Sequence, residues 1–331
     1  MKFSNQNIRR VIGKIFHLGV VGSLSFLMGT AYAAYPDKSI KLVVGFPPGG
    51  PTDMSARIIA PKLAEILKQS VFIENKAGAG GNVAAQMVSG AAPDGYTFLF
   101  NSAAFAVNPA LYGSAAGYNP EKNFTTVAFV STQANVISVN ESVPVKTLAE
   151  LKEYASKNKL SYSSPGYGTT PHLTCENLFH AQWKADINHI PYKGAGPASM
   201  AVVGGETPIA CTAVAGVYQF SKQGKVRILA ISSEKRSPNL QEVPTLVELG
   251  YPQIKDYTWS AMMAPIKTPS DIVQKMNRAV NFVLQMPEVR EQMDKAGLVV
   301  MSGTVQQSNE YMTEEVSRWA KIVKDVGAKV E

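Results

Sequence analysis

The chain has 331 residues, a formal net charge of +7, two cysteines and four histidines. Residues 1–33 carry four basic and no acidic side chains, so removing them lowers the charge to +3. That small surplus, with no basic run interleaved with aromatics and no zinc-finger spacing, excludes the common nucleic-acid-binding classes, and no nucleic-acid partner is expected.

The first segment reads as an export signal. Lys2, Arg9, Arg10 and Lys14 make a basic start, residues 15–28 are mostly apolar, and Ala31-Tyr32-Ala33 has the small-x-small pattern of a cleavage site. The apolar run is too short for a transmembrane span, and no cysteine near the cleavage site offers a lipid anchor. A signal peptide over 1–33, a mature chain from about Ala34 and a periplasmic location are expected. What remains is long enough for two domains. Cys175 and Cys211 would meet an oxidising compartment. One disulfide and two separate buried thiols both fit; the thiols are favoured, because nothing in the sequence forces the two Cα atoms together.

Residues 40–57 are the most informative stretch. Leu42, Val43 and Val44 suit a strand covered on both faces. Pro47, Pro48, Gly49 and Gly50 end it, and Pro51 and Thr52 suit a helix start. A turn with so little side chain exposes backbone N–H groups and the positive end of a helix, a place to hold an anion. A plain tight strand-to-helix connection explains the same residues. Met54, Ile58, Ile59, Leu63, Ile66 and Leu67 recur at helical spacing, and Pro61 inside that pattern predicts a kink or a break.

A second strand over 71–75 leads into the glycine-rich turn 76–82 and a helix near 83–89. This turn lacks the third glycine of G-x-G-x-x-G and has no G-K-[ST] ending, so it is no phosphate fingerprint. A third strand over 96–100 ends at Asn101-Ser102. Alternating strands and helices argue for a parallel sheet whose strand ends and following loops build the ligand site, which puts Asn101, Ser102 and Phe105 on the edge that carries residues 46–53. The β-rich stretch 125–139 reads as a crossover into a second domain. There the plan recurs: a strand over 160–164, a Gly/Pro/hydroxyl loop over 165–171, a helix from about Pro171 to Trp183 capped by Thr170, a strand over 187–191 and another glycine turn over 192–197. Strands over 207–214 and 226–232 extend the second sheet. A return strand over 257–264, a helix opened by Thr268-Pro269-Ser270-Asp271, and a closing helix over 307–326 complete the chain.

Catalytic signatures are missing. His172, His180 and His189 form no i, i+4 metal pair and no H-E-x-x-H; His172, beside the glycine loop, is expected to hydrogen-bond that loop. There is no G-x-S-x-G elbow, and the S-x-x-K matches at Ser156 and Ser232 lack companion motifs. Asp53 has two equal readings, a carboxylate at the cleft mouth that meets a ligand or a first-turn acid favoured by the helix dipole. Neither a cofactor nor a metal is expected.

Several segments resemble one family: Tyr35-Pro36, then the run 40–53 already described, Glu74-Asn75-Lys76-Ala77-Gly78-Ala79-Gly80-Gly81-Asn82, Asp94-Gly95-Tyr96-Thr97, Val107-Asn108-Pro109-Ala110-Leu111-Tyr112, His189-Ile190-Pro191-Tyr192-Lys193-Gly194, Lys235-Arg236-Ser237-Pro238 and Val243-Pro244-Thr245. In order, they resemble the Bug proteins, the TctC-like solute-binding components of tripartite tricarboxylate transporters. The resemblance implies an α/β, two-lobed periplasmic binding protein fold (type II) with two crossover strands. It implies domain 1 over 34–133 with 260–331 and domain 2 over 134–259. It implies a monomeric, non-enzymatic receptor that hands a small carboxylate to membrane permease subunits, the ligand being held by backbone N–H groups and ordered waters. By position, the site falls to Phe46, Pro48, Gly49, Gly50, Thr52 and Asp53 on the first loop and Asn101, Ser102 and Ala103 on the next. Gly166, Tyr167, Gly168, Thr169 and Thr170, with Tyr192 and Lys193, complete it from the second lobe. Residues 209–213 depart from the family by lacking an Asp-Asn pair near Thr212 and Ala213, which puts any contact to a ligand amine from there in doubt. A secreted enzyme using the same cleft and a ligand-reporting partner of a membrane sensor are the alternatives.

Overall fold

Short apolar strands alternating with helices dominate the computed structural model, which describes residues 35–237 and 239–328. The expected signal peptide lies outside the described residues. Among the described residues, no helix is long and apolar enough to cross a membrane. Contacts divide the chain after Asp37, and every element below belongs to the unit that begins at Lys38.

β1 (Ile40–Val44), α1 (Pro51–Leu67), β2 (Val71–Asn75), α2 (Asn82–Ser89) and β3 (Thr97–Ser102) follow in order. β1 pairs in parallel with both β2 and β3, as alternation of strand and helix predicts. After α3 (Ala104–Tyr112) and the short α4 (Pro120–Asn123) comes β4 (Phe124–Asn140), a 17-residue strand. Then come α5 (Leu148–Lys157), β5 (Leu160–Ser164), α6 (Thr170–Cys175) extended by π-helical turns over Glu176–Gln182, β6 (Ile187–Pro191), α7 (Ala195–Val203), β7 (Ile209–Ala213), α8 (Val214–Lys222) and β8 (Val226–Ile231). β9 (Tyr257–Pro265), α9 (Ser270–Gln285), α10 (Pro287–Lys295), β10 (Val299–Val300) and α11 (Val305–Val326) close the chain.

β4 joins the two halves. Its first part pairs antiparallel with β9, and its last residues pair with β7 and β8. β9 in turn pairs with β3, so the strand order runs β2-β1-β3-β9-β4-β7-β5-β6, with β8 and β10 also on β4. The fold is thus the expected α/β, two-lobed arrangement, with β4 and β9 as its crossover strands. Apolar clusters flank the first half on both faces, one under α1 and α9 and the other under α3 and α11. The second half has its own, around Tyr162, Phe179 and Leu229 on one face and Val202, Val217 and Val226 on the other.

Three expectations need correcting. α1 runs as one 17-residue helix with Pro61 inside it, so the alternative of a break into two segments does not hold. Losing one backbone hydrogen bond there is outweighed by the buried stripe of Ile59, Ala60, Leu63 and Leu67. The residue before α6 is Thr169, not Thr170, and its side chain makes no capping bond. Cys175 and Cys211 are joined in a disulfide, with Cα atoms 6.4 Å apart, because α6 packs on β7 inside the second core. That long-range packing leaves no trace in local sequence.

Candidate functional site

Four helix starts converge on one cavity. Gly50, Pro51 and Thr52 open α1, Thr169, Thr170 and Pro171 open α6, Ala195 and Gly196 open α7, and Ala213 precedes α8. Each is a strand-to-helix turn built from Pro, Gly, Ala or Thr, so little side chain separates the cavity from unpaired N–H groups at the helix ends. Phe46 and Pro47 after β1, Ser102 of β3, Pro165 and Thr258 of β9 complete the wall. None of the lining residues is ionisable. The electrostatics are those of converging positive helix ends in an otherwise neutral, mostly apolar chamber, which favours a carboxylate with a compact apolar body.

Of the residues expected at the site, Phe46, Gly50, Thr52, Ser102, Thr169 and Thr170 line this cavity. Gly166, Tyr167, Tyr192 and Lys193 line a neighbouring chamber of about 180 Å³ instead. Pro48, Gly49, Asp53, Asn101, Ala103 and Gly168 line neither. Sequence reasoning left out Pro47, Pro51, Pro165, Pro171, Ala195, Gly196, Ala213 and Thr258. The turn over 192–197 was recognisable as a strand-to-helix connection, and reading on to its helix start would have found Ala195 and Gly196. Thr258 carries no local signal.

Asp53 supports its own loop and does not line the cavity. Its side chain is 1% exposed and accepts hydrogen bonds from Gly49 N at 2.9 Å, Arg57 Nε at 2.8 Å and Asn75 Nδ2 at 2.8 Å. Burial raises its pKa, but the bonds from Arg57, Asn75 and Gly49 outweigh that and lower it overall. Asn75 also donates to Phe46 O, so the turn over 46–50 is tied at both ends. Asn101 is likewise a fastener: it donates to Gly81 O and accepts from Ser102 N. A β-carbon built on Gly45 would sit 2.7 Å from its Oδ1, which is why glycine follows β1. Ala103 is fully buried in the core beneath α3. Gly168 abuts Asn108, too closely for any side chain.

Behind the second-lobe wall lies a cluster of rings. His172 and His189 stack at 4.2 Å, Tyr162 stacks on His189, and Tyr167 meets both imidazoles edge-on. His189, not His172, serves the glycine loop: its Nε2 lies 2.6 Å from Ser164 Oγ, which accepts from Gly166 N. Burial keeps both rings neutral, pushing His172 down to about 4 and His189 to about 3. Glu176 is paired with His180 at 2.7 Å and bonded by Tyr162. Burial raises its pKa, but those bonds and the nearby His172 bring it to about 2. His172, Glu176 and His189 each place a ligand-type atom within 4.8 Å of the others, yet the two imidazole planes are only 28° apart, so their in-plane lone pairs do not converge on one point. The cluster reads as a neutral ring stack braced by one ion pair.

A chain of polar side chains links the wall to the crossover strands. Thr170 hydrogen-bonds Thr258, Thr258 donates to Asn135 Oδ1 at 3.0 Å, Asn135 donates to Thr174 at 2.9 Å, and Thr174 donates to Asp256 at 3.0 Å. Asn135 lies on β4 and Thr258 on β9, so the start of α6 is fastened to both strands that join the lobes.

Residues 55–328 match the family model described as the tripartite tricarboxylate transporter family receptor, TctC. BugT of Bordetella pertussis is 35% identical over 301 residues, 90% of this chain and 92% of BugT. Among solved structures, an R. palustris protein with adipate is 32% identical with a TM-score of 0.85, over 89% of this chain and 100% of that one. MatC from Rhodopseudomonas palustris with bound malate is also 32% identical, with a TM-score of 0.82 over 87% and 100%.

Proposed function

The chain belongs to the tripartite tricarboxylate transporter receptor (TctC) family, and from that premise we propose how it works as a solute-binding receptor for small carboxylates. The neutral cavity walled by four helix starts carries the reading: backbone N–H groups meet the carboxylate, while Phe46 and the prolines cover its apolar body. Similar proteins solved with adipate and malate support the same ligand class.

Micromolar binding takes about 8 kcal/mol. Net hydrogen bonds of about 0.5–1.5 kcal/mol each, helix-end effects of about 0.3–2 kcal/mol each and desolvation of the apolar body reach that when the lobes close. The receptor releases its ligand unchanged to membrane permease subunits, acts in the periplasm as a monomer after removal of residues 1–33, and divides into lobes 34–133 with 260–331 and 134–259. No nucleophile–base pair faces the cavity among the described residues, which supports binding without turnover.

Titration calorimetry against a carboxylate panel, with mass spectrometry of whatever co-purifies, tests the reading. One carboxylate is expected to bind at micromolar concentration or tighter and to be recovered intact. Gly50→Asp places a like charge where the ligand sits, with room for the β-carbon 3.8 Å from Pro47 O, and is expected to abolish binding while the fold persists. Consumption of the ligand, or full affinity in Gly50→Asp, overturns the assignment.

A further inference from the structure

α11 packs on the first half of the molecule through Met312, Trp319 and Val323. One of its residues, Arg318, reaches across to the second half. Its Nη1 lies 3.4 Å from Oδ1 of Asp256, two residues past Ile254 of the second half's core, and its Nε donates to Glu315 at 2.8 Å. Asp256 and Glu315 are each only 4% exposed. Among the described residues, Arg318 is the one cation paired with either carboxylate.

The two acids bracket Thr258, a residue of the cavity wall. Asp256 precedes it by two positions, and Glu315 accepts from the indole N–H of Trp259, the next residue, at 2.7 Å. Asp256 also decides where one proton goes. The Thr174 hydroxyl carries a single hydrogen and has two acceptors within reach, Asp256 Oδ2 at 3.0 Å and the Thr170 carbonyl at 2.9 Å. A carboxylate held charged by Arg318 takes that hydrogen in preference to a neutral carbonyl. Burial raises the Asp256 pKa, and Arg318 is the strongest influence against that rise. Without the guanidinium, the buried carboxylate takes up a proton and the Thr174 hydrogen turns to Thr170. Asn135, which donates to Thr174 and accepts from Thr258, then loses its fixed setting. Neither Arg318 nor Asp256 lines the cavity, so both act on it only through these bonds.

We propose that Arg318 is a positioning residue for ligand binding: by holding Asp256 and Glu315 from α11, it fixes the order Thr174–Asn135–Thr258–Thr170 and with it two hydroxyls of the cavity wall. The proposal rests on the carboxylate-receptor reading and adds to it a residue outside the cavity that sets its affinity.

Calorimetry with malate, succinate and adipate tests it on the mature protein and on Arg318→Met, Arg318→Lys, Asp256→Asn and the Arg318→Met/Asp256→Asn double variant. Val323→Ala, on the same helix and outside the bonded chain, is the stability control, and the unliganded thermal midpoint of every variant is measured. For the acid that the unaltered protein binds best, Arg318→Met is expected to weaken binding about tenfold. Arg318→Lys should recover part of that loss by restoring the charge without the fork. The double variant should bind no more weakly than the weaker single variant, because both cut one link. Val323→Ala should lower the midpoint and leave affinity within about twofold. Should Arg318→Met fail to fold, Arg318→Lys and Asp256→Asn against Val323→Ala make the same comparison. Unaltered affinity in the Arg318 variants, additive losses in the double variant, or an equal loss of affinity in Val323→Ala overturns the inference and leaves the receptor reading standing. Failure of every carboxylate to bind the unaltered protein, with none co-purifying, overturns the receptor reading itself and this inference with it.

Discussion

Pro47 and Gly194 meet across the mouth of the cleft: a β-carbon built on Gly194 would lie 2.8 Å from Pro47 Cδ, and Gly194 has a φ of +131°. Pro47 follows β1 in the first half and Gly194 precedes α7 in the second, so the contact bridges the two halves. Gly194→Ala is expected to hold the cleft ajar and weaken ligand binding about tenfold, through both the clash and the disfavoured backbone. Adding Pro47→Ala should restore part of that loss, since it removes the clash and leaves the backbone cost. Calorimetry on the two single variants and the double variant measures the coupling; purely additive effects would show that the contact plays no part in closure.

Asp53 accepts three hydrogen bonds while almost fully buried. Asp53→Ala removes the acceptor for the Gly49, Arg57 and Asn75 donors, and a loss of about 1–3 kcal/mol in unfolding free energy is expected. Ligand affinity should fall as well, because the turn over 46–50 loses its anchor. Urea unfolding followed by ligand titration checks both; full stability in the variant would mean that the carboxylate does not hold the turn.

The Cys175–Cys211 bridge closes a loop with a sequence separation of 36. On the chain-entropy model, opening it costs about 3–4 kcal/mol. Denaturation with and without reductant, compared with the Cys175→Ser/Cys211→Ser double variant, should show losses of that size and of equal magnitude.

Stability should depend on pH in a definite direction. Folded His172 and His189 titrate at about 4 and about 3, against about 6.5 in the unfolded chain. Below pH 6.5 the unfolded state therefore takes up protons that the folded state refuses. Stability falls as pH drops from 6.5 towards 4, at up to about 1.4 kcal/mol per pH unit for each ring. Glu176, at about 2 when folded, adds a loss of the same sign below its ordinary range. His180 is raised by its bond to Glu176, so its contribution is complete below 6.5 and fades as pH rises through its folded pKa. Denaturation at pH 7.5, 6.0, 5.0 and 4.0 should show the fall, with a shallower slope in His172→Phe. Equal slopes would mean that the ring stack is not what titrates.

With no acidic side chain lining either chamber, a ligand ammonium has no counter-charge and loses its water on entry. Matched pairs such as succinate with aspartate and glutarate with glutamate should differ by about tenfold or more in favour of the amine-free acid. Thermal-shift titration of such pairs decides it, and parity between partners would contradict the charge inventory.

Much of this protein was readable along the chain. Buried strands announce themselves as apolar runs, and helix starts as Pro, Thr and Gly after them, because those signals act between near neighbours. Strand and helix alternation put the loops after β1 and β3 on one edge, and the family resemblance implied the site loops after β5 and β6 together with Phe46, Gly50, Thr52, Ser102, Thr169 and Thr170. Asp53 shows where that reading stops. Its type and its place on a first helical turn suit a ligand contact and a loop fastener equally, and the choice was made by Asn75, 22 residues away, and by Gly49 turning back to meet it.

The same boundary runs through the whole molecule. Local residue pattern was enough for the order of strands and helices, for the absence of catalytic motifs and for an anion-friendly chemistry, since each rests on contacts within a few residues. Which cysteines pair, which histidine serves the loop, where Thr258 sits and how Lys193 is set apart from the inner cavity depended on folding. These are meetings between segments tens to more than a hundred residues apart, brought about by packing of apolar faces that many sequences satisfy equally well.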